Sequence, residues 1–166
     1  MTEDLYKPDC IRTFTGLYMN VFSPAMEMID IRDIAHALSM QPRFGGHLPR
    51  FYSVAQHCVN CAILADSEHK LDALMHDAAE AYLLDMPRPI KQRLVGYKEL
   101  EDRLMMMIAI KFGLRYPLDH VKGVDECMLV VEWRHIMLGI DKLEIDCWSP
   151  ELAEAKFLST FKLYSK

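Results

Sequence analysis

Ser67-Glu68-His69-Lys70-Leu71-Asp72-Ala73-Leu74-Met75-His76-Asp77-Ala78-Ala79-Glu80-Ala81-Tyr82-Leu83-Leu84-Asp85-Met86-Pro87-Arg88-Pro89 decides the fold class. Leu71, Leu74, Met75, Ala78 and Tyr82 recur at three- and four-residue intervals, the spacing of one buried helical face. Ser67 offers an N-cap oxygen. Asp85-Met86-Pro87-Arg88-Pro89 ends the helix, because proline has no amide proton and its ring restricts the residue before it. One helix from the Ser67 cap to about Leu84 is predicted, with His76 and Asp77 in its second half.

The same period extends in both directions. Asp30 caps a helix with Ile31, Ile34, Ala35 and Leu38 on one face. Ser53-Val54-Ala55-Gln56 reads as a capping box in which the Gln56 side chain reaches back to the cap, so His57 falls in or near the first turn. Leu100, Leu104, Met107 and Ile108 define a helix that stops at Gly113. Asp119 caps another that reaches about Leu138 and carries Val121, Val124, Asp125, Met128 and Val131. Ser149-Pro150 starts a final helix with Leu152, Ala155, Leu158 and Phe161 on its stripe. Gln41 to Tyr52 holds Pro42, Gly45, Gly46 and Pro49, which makes it a structured loop. Ile11 to Phe22, β-branched and aromatic around Gly16, predicts one short hairpin. The expectation is an all-α chain, a single compact helical bundle over residues 1–166 with a short N-terminal β-hairpin.

Composition narrows the function classes. The formal net charge of −5 argues against a general nucleic-acid or membrane-surface binder, since either needs a cationic face. No apolar run approaches the roughly 20 residues of a membrane span, and Met1-Thr2-Glu3-Asp4 does not begin a signal peptide, so a cytoplasmic protein is expected. Five cysteines, at 10, 58, 61, 127 and 147, are odd in number and thinly spread, unlike a disulfide framework. Cys58-Val59-Asn60-Cys61 has the spacing of half a zinc site or a redox pair. Without a second close pair, and inside an apolar helical pattern, these residues are read as buried core thiols.

His57, His76, Asp77 and Asp125 stand on helices that are otherwise apolar, where charge is costly to desolvate unless it is paired or binds a metal. Glu80 follows Asp77 by three residues and His76 by four, which places its carboxylate beside both, where a catalytic base belongs. His36, His69, His120 and His135 read as structural or exposed, as ordinary histidines are. Met105-Met106-Met107 reads as core filling and subunit contact.

Met75 to Lys91 resembles the central motif of the HD-domain metal-dependent phosphohydrolases, in the branch of small 5′-deoxynucleotidases and phage dATP triphosphohydrolases. Three further segments resemble that family in the expected order. They are Arg43-Phe44-Gly45-Gly46-His47, Ser53-Val54-Ala55-Gln56-His57 and Val124-Asp125-Glu126-Cys127, and together the resemblance spans about Asp30 to Arg134. It implies His57, His76, Asp77 and Asp125 as ligands of one divalent transition metal ion, Co²⁺, Mn²⁺, Zn²⁺ or Ni²⁺. It further implies Asp77 and Glu80 as catalytic groups, with Glu80 taking or orienting the proton of the attacking water. Arg43, Phe44, His47, Asp85 and Lys91 are the expected substrate contacts: Arg43 and Lys91 for phosphate, Asp85, by the family pattern, for the sugar 3′-hydroxyl, Phe44 or Phe51 for the base, and His47 either for phosphate or as a cap of the loop.

The reaction so implied is hydrolysis at the α-phosphorus of a 2′-deoxynucleotide. It takes a deoxynucleoside monophosphate to nucleoside and phosphate, or a triphosphate such as dATP to nucleoside and triphosphate. The expected partners are a small deoxynucleotide and further copies of the chain in a homo-oligomer, not a nucleic acid polymer or a membrane. The rival readings are a catalytically silent nucleotide sensor, a phosphodiesterase on cyclic or modified nucleotides, and a helical scaffold whose histidines and acids are merely structural.

Overall fold

The structure, a computed structural model, describes residues 7–140 and 145–165; the Met1-Thr2-Glu3-Asp4 start read above lies outside them. Helices dominate the described residues: α1 (Ile31–Met40), α2 (Val54–Leu64), α3 (Lys70–Met75), α4 (Glu80–Leu83), α5 (Arg88–Lys91), α6 (Tyr97–Phe112), α7 (Lys122–Glu132) and α8 (Pro150–Tyr164). The predicted hairpin is present as β1 (Cys10–Arg12) antiparallel to β2 (Tyr18–Asn20), and the buried Met19 anchors it to the core. No helix among the described residues is long and apolar enough to cross a membrane.

The bundle is organised around α2, which packs against α1, α3, α7 and α8. Its sequence explains that position, because Val54, Ala55, Cys58, Val59, Cys61 and Ala62 leave it apolar nearly all round and all six are buried. Ile34, Leu38, Leu74, Leu104 and Ile108 fill the space about it, each fully buried side chain contributing about 1.5–3 kcal/mol.

Several local expectations hold. The Asp30 carboxylate accepts from Arg32 N at 2.8 Å, and α6 ends at Gly113 in the left-handed region with φ 70°. Ser53 Oγ accepts from Gln56 N at 3.1 Å, and Ser149 Oγ accepts from Leu152 N at 3.3 Å. The capping box at Ser53 is only half formed, however. The Gln56 carboxamide donates to Asp146 O at 2.6 Å and accepts from Trp148 N at 2.9 Å, tying the approach to α8 against α2.

Three expectations are corrected. The helix predicted from Ser67 to Leu84 is two helices: α3 starts after His69, which provides no side-chain cap, and the chain tightens between Met75 and Glu80. There Ala78 N donates to Met75 O at 3.0 Å, Glu80 N to Asp77 O at 2.9 Å and Tyr82 N to Ala79 O at 3.0 Å, all three residues back. Such a turn winds at about 3.0 residues and stacks i on i+3, which brings Asp77 into line with Glu80. Hydrophobic spacing over one turn does not separate this winding from an α-helix. Asp119 opens a 3₁₀ turn without capping it and pairs with Lys122 at 2.5 Å; α7 then runs into a π-helical stretch at Trp133–Met137. On α8 the fully buried residues are Ala153 and Phe157, with Leu158 and Phe161 partly packed, while Leu152 and Ala155 face outward. Docking on α1, α2 and α3 selects the face that carries Phe157.

Two irregular segments frame the site. Leu84 adopts φ 69° and ψ 155°, a conformation costing about 1–3 kcal/mol for a residue with a Cβ. Gln41 offsets that cost by donating to Glu80 O at 3.0 Å and accepting from Asp85 N at 3.1 Å. The loop before α2 is closed at its base by Arg43 N donating to Tyr52 O at 2.9 Å and Val54 N to Gln41 O at 3.0 Å. Within it, Phe44 and Gly45 have φ of 56° and 60°, and a Cβ at position 45 would stand 3.6 Å from Pro87 Cγ.

Candidate metal centre

His57 comes from α2, His76 and Asp77 from the tightened turn after α3, and Asp125 from the first turn of α7. The four side chains converge although 68 residues separate the first from the last (125 − 57). His57 Nε2 lies 3.3 Å from His76 Nε2, 3.7 Å from Asp77 Oδ2 and 3.1 Å from Asp125 Oδ1. His76 Nε2 lies 3.3 Å from Asp77 Oδ2 and 3.7 Å from Asp125 Oδ1. Donors bound to one transition ion at ~2.0–2.2 Å stand roughly 2.8–3.6 Å apart, close to the 3.1–3.7 Å by which the two Nε2 atoms are separated from each other and from the two carboxylate oxygens.

Both imidazoles are set to present Nε2 inward. His76 Nδ1 donates to Ala73 O at 2.7 Å. His57 Nδ1 donates to Glu132 Oε1 at 2.6 Å, in the arrangement by which a carboxylate orients a ligating histidine. Glu132 also accepts from Arg43 Nη2 at 3.3 Å, and Arg43 Nη1 reaches Asp77 Oδ2 at 3.6 Å. A buried cation thus ties one prospective ligand to the support of another.

The charges reinforce one another. Burial works against an ionised Glu132, but His57 and Arg43 outweigh it and hold its pKa below the usual carboxylate value. For His57, burial and Arg43 oppose protonation while Glu132 and Asp125 favour it, and the net effect is a raised pKa. Burial likewise opposes ionisation of Asp125, and hydrogen bonds with His57 and His76 override it. Glu80 is the contrary case. Burial first, then the carboxylates of Asp77 and Asp85, push its pKa well up, and its Oε2 is buried without a partner among the described residues. Asp85 is raised too, mainly by burial.

His76, Asp77, Glu80 and Asp125 line a cavity of about 410 Å³. Met105, Leu118 and Val121 give it apolar walls, Tyr116 and Pro117 an edge, and Lys91, Lys98 and Lys122 positive charge. Each lysine already has an acid: Lys91 pairs with Glu101, Lys98 with Asp102 at 2.9 Å and Lys122 with Asp119 at 2.5 Å. Of the implied substrate contacts, Lys91 alone is among the described residues lining this cavity. Arg43 is buried between Glu132 and Asp77, and Phe44 packs on Trp133 with ring centres 5.8 Å apart. His47 is exposed at the end of the loop turn, and Asp85 lies beyond Glu80, its amide held by Gln41.

Of two neighbours of the centre, Glu132 was not singled out in the sequence and Cys61 was read there as a core thiol. Glu132 stands seven residues, two helical turns, after Asp125, so the signal was an acid on the same helical face within the apolar run Val130 to Trp133. Cys61 is buried as expected of a core thiol, yet its Sγ lies 3.5 Å from His57 Nε2. Among the described residues, two groups have donor atoms close enough to hold an ion, those of each group within 4.8 Å of one another: His57, Cys61, His76 and Asp125, and Cys58, His76 and Asp77, so that neither group joins Asp77 to Asp125. The other histidines have structural partners: His36 with Glu154 at 3.0 Å, His120 with Asp72 at 2.9 Å, and His69 against the His120 ring. His135 Nδ1 lies 3.0 Å from Ile140 O.

No family model matches the chain. It is similar to the uncharacterized protein YfdR of Escherichia coli strain K12, with 44% identity over 132 residues, covering 79% of this chain and 73% of YfdR. It is also similar to the uncharacterized protein RCAP_rcc00048 of Rhodobacter capsulatus, at 35% identity over 113 residues, covering 62% of this chain and 58% of that protein. The YfdR match includes most of both chains, and at that identity the chain belongs to the YfdR family.

Proposed function

We propose that this chain is a metal-dependent phosphohydrolase that cleaves the 5′-phosphoester of 2′-deoxynucleotides. The observation that carries the reading is a pair of Nε2 atoms 3.3 Å apart, each within 3.1–3.7 Å of an oxygen of Asp77 and of an oxygen of Asp125, beside a cavity that also presents Glu80 and three lysines. His57, His76, Asp77 and Asp125 would hold one divalent transition ion, of the Co²⁺, Mn²⁺, Zn²⁺ or Ni²⁺ type that suits mixed imidazole and carboxylate donors. Such an ion supplies Lewis acidity and makes water a competent nucleophile near neutral pH.

The remaining tasks fall to the protein. Glu80, whose burial raises its proton affinity, takes the proton of the attacking water, a role worth about 10²–10⁴-fold in rate. Lys91, Lys98 and Lys122 turn from their acids toward the non-bridging phosphate oxygens as negative charge builds there. Arg43 stays with Asp77 and Glu132 and holds the centre in shape. Water adds at the α-phosphorus, the bond to the 5′-oxygen breaks, and that oxygen leaves with a proton. A monophosphate gives deoxynucleoside and phosphate; a triphosphate attacked at the same atom gives deoxynucleoside and triphosphate. A cavity of about 410 Å³ falls within the roughly 300–1,000 Å³ typical of small-ligand sites. The outward residues of α6, among them Met106 and Ile110, are the face on which a homo-oligomer would form.

Purified protein incubated with Co²⁺ or Mn²⁺ and each dNMP and dNTP in turn, with the products separated, tests the reading. Deoxynucleoside is expected together with phosphate or triphosphate, and product formation is expected to cease after chelation. A metal-loaded protein that releases nucleoside from none of these substrates would refute it.

A further inference from the structure

Cys61 lies one helical turn after His57 on α2, which brings its sulfur against the imidazole ring. The sulfur is nearer the Nε2 edge, at 3.5 Å, than the Nδ1 edge, at 4.0 Å. Nδ1 is occupied by Glu132, so Cys61 leans toward the atom that faces the other prospective ligands. A sulfur bound at ~2.3 Å and a nitrogen at ~2.0–2.1 Å on one ion stand roughly 3.1–3.6 Å apart, and the observed separation falls in that interval. The donor atoms of His57, Cys61, His76 and Asp125 also lie within 4.8 Å of one another, so the sulfur is close to all three and not to His57 alone.

Asp77 is differently placed. The oxygen that approaches both histidines, Oδ2, is also the one that Arg43 Nη1 reaches at 3.6 Å, and a shared cation weakens a carboxylate as a donor. Cys61 has no such competitor, and its hydrogen-bond contacts among the described residues are with the His57 ring.

We propose that Cys61 is a sulfur donor to an ion held with His57, His76 and Asp125, which makes this a mixed nitrogen, oxygen and sulfur centre selective for a thiophilic ion such as Zn²⁺ or Co²⁺ over Mn²⁺ or Mg²⁺. The inference rests on the metal-binding reading above and adds a sulfur to the donors of His57, His76 and Asp125. As the ion binds, the thiol proton is lost to solvent and the sulfur coordinates as thiolate. The centre then prefers soft ions because thiolate selects them, whereas an all-carboxylate and water site favours Mg²⁺ or Mn²⁺.

The test is spectroscopic and requires no turnover. Chelator-stripped full-length protein is titrated with Co²⁺ under reducing, oxygen-free conditions. Wild type is expected to bind one Co²⁺ per chain and develop a near-ultraviolet sulfur-to-cobalt charge-transfer band. The Cys61→Ser variant is expected to lose the band and to bind Co²⁺ more weakly, by at least the roughly 10–100-fold that loss of a partner outside the ligand set costs. Cys58→Ser is expected to keep the band, although Cys58 stands near His76 and Asp77. One tightly bound Co²⁺ without the band, or a band that survives Cys61→Ser and disappears in Cys58→Ser, overturns the proposal and leaves the metal-binding reading intact. A wild-type protein that binds no Co²⁺ or Zn²⁺ overturns both. Should Cys61→Ser fail to fold, X-ray absorption of the Zn²⁺-loaded wild type and Cys58→Ser proteins decides the question. Both are expected to show a sulfur at ~2.3 Å, and its absence from either overturns the assignment to Cys61.

Discussion

Replacing Glu132 by glutamine is the sharpest test of how the centre is held together. Glu132 is fully buried and sits between the His57 imidazole at 2.6 Å and the Arg43 guanidinium at 3.3 Å. Glutamine keeps the size and one carbonyl oxygen, so His57 Nδ1 can still donate, but the negative charge is lost. Arg43 would then rely on Asp77, 3.6 Å away, as its remaining carboxylate among these contacts. Breaking a buried ion pair by removing one partner costs about 3–5 kcal/mol. Because Asp77 still compensates Arg43 and glutamine fills the space, the lower end, about 3 kcal/mol, is expected. For a chain of this length that lowers the metal-free Tm by about 6–12 °C. Weaker orientation of His57 should reduce metal affinity by about 10–100-fold. Circular dichroism melts of stripped protein and calorimetric titration with Zn²⁺ measure the two effects separately. A Glu132→Gln protein with unchanged Tm and unchanged Zn²⁺ affinity would refute the reasoning, because neither the pairing of Arg43 nor the orientation of His57 would then depend on this carboxylate.

Other substitutions separate scaffold from chemistry. Glu80→Gln removes a carboxyl whose ionised form is disfavoured by burial first and then by Asp77 and Asp85, so stability should hold or rise while phosphate release falls by about 10²–10⁴-fold; equal turnover in the two proteins would remove Glu80 from the mechanism. Arg43→Ala strips a counter-ion from both Asp77 and Glu132 and should cost about 3–5 kcal/mol in denaturant unfolding, whereas a purely substrate-binding arginine would raise KM and leave stability alone. Asp30→Ala should cost about 1 kcal/mol at neutral pH through loss of the α1 cap. The Arg32 guanidinium holds the folded-state pKa of Asp30 below the ordinary aspartate value, so the carboxylate's contribution is full above that ordinary value and is lost as pH falls through the lower, folded one. The wild-type and Asp30→Ala unfolding curves should therefore converge in acid, and a constant gap between them would contradict the assignment.

The local features were the legible ones. Asp30, Ser53 and Ser149 each cap a helix through an amide two or three residues ahead, an interaction written within a short stretch of chain. The hairpin and the stop at Gly113 are equally local, and together with the apolar spacing they made a helical chain readable from composition and order alone. Where spacing was the sole guide, it named a buried face without its exact winding or rotation, which is why the break after Met75 and the outward turn of Leu152 emerged only on packing.

The sequence by itself determined that two histidines and three carboxylates would stand in otherwise apolar segments, a costly placement that asks for a partner. Tertiary structure decided which partners they have. Glu132 and His57 are 75 residues apart, and Arg43 and Glu132 are 89 apart, so no spacing rule joins them. The same packing turned Arg43 inward between two acids and put Lys91, Lys98 and Lys122 around the cavity in its place. Cys61 shows the division most clearly. Its position one turn after His57 was visible in the chain, but its significance depends on His76 and Asp125 arriving from other helices to meet the same sulfur. Donor atoms acquire a common centre only when the hydrophobic faces of their helices have docked, and that docking is a property of the whole bundle.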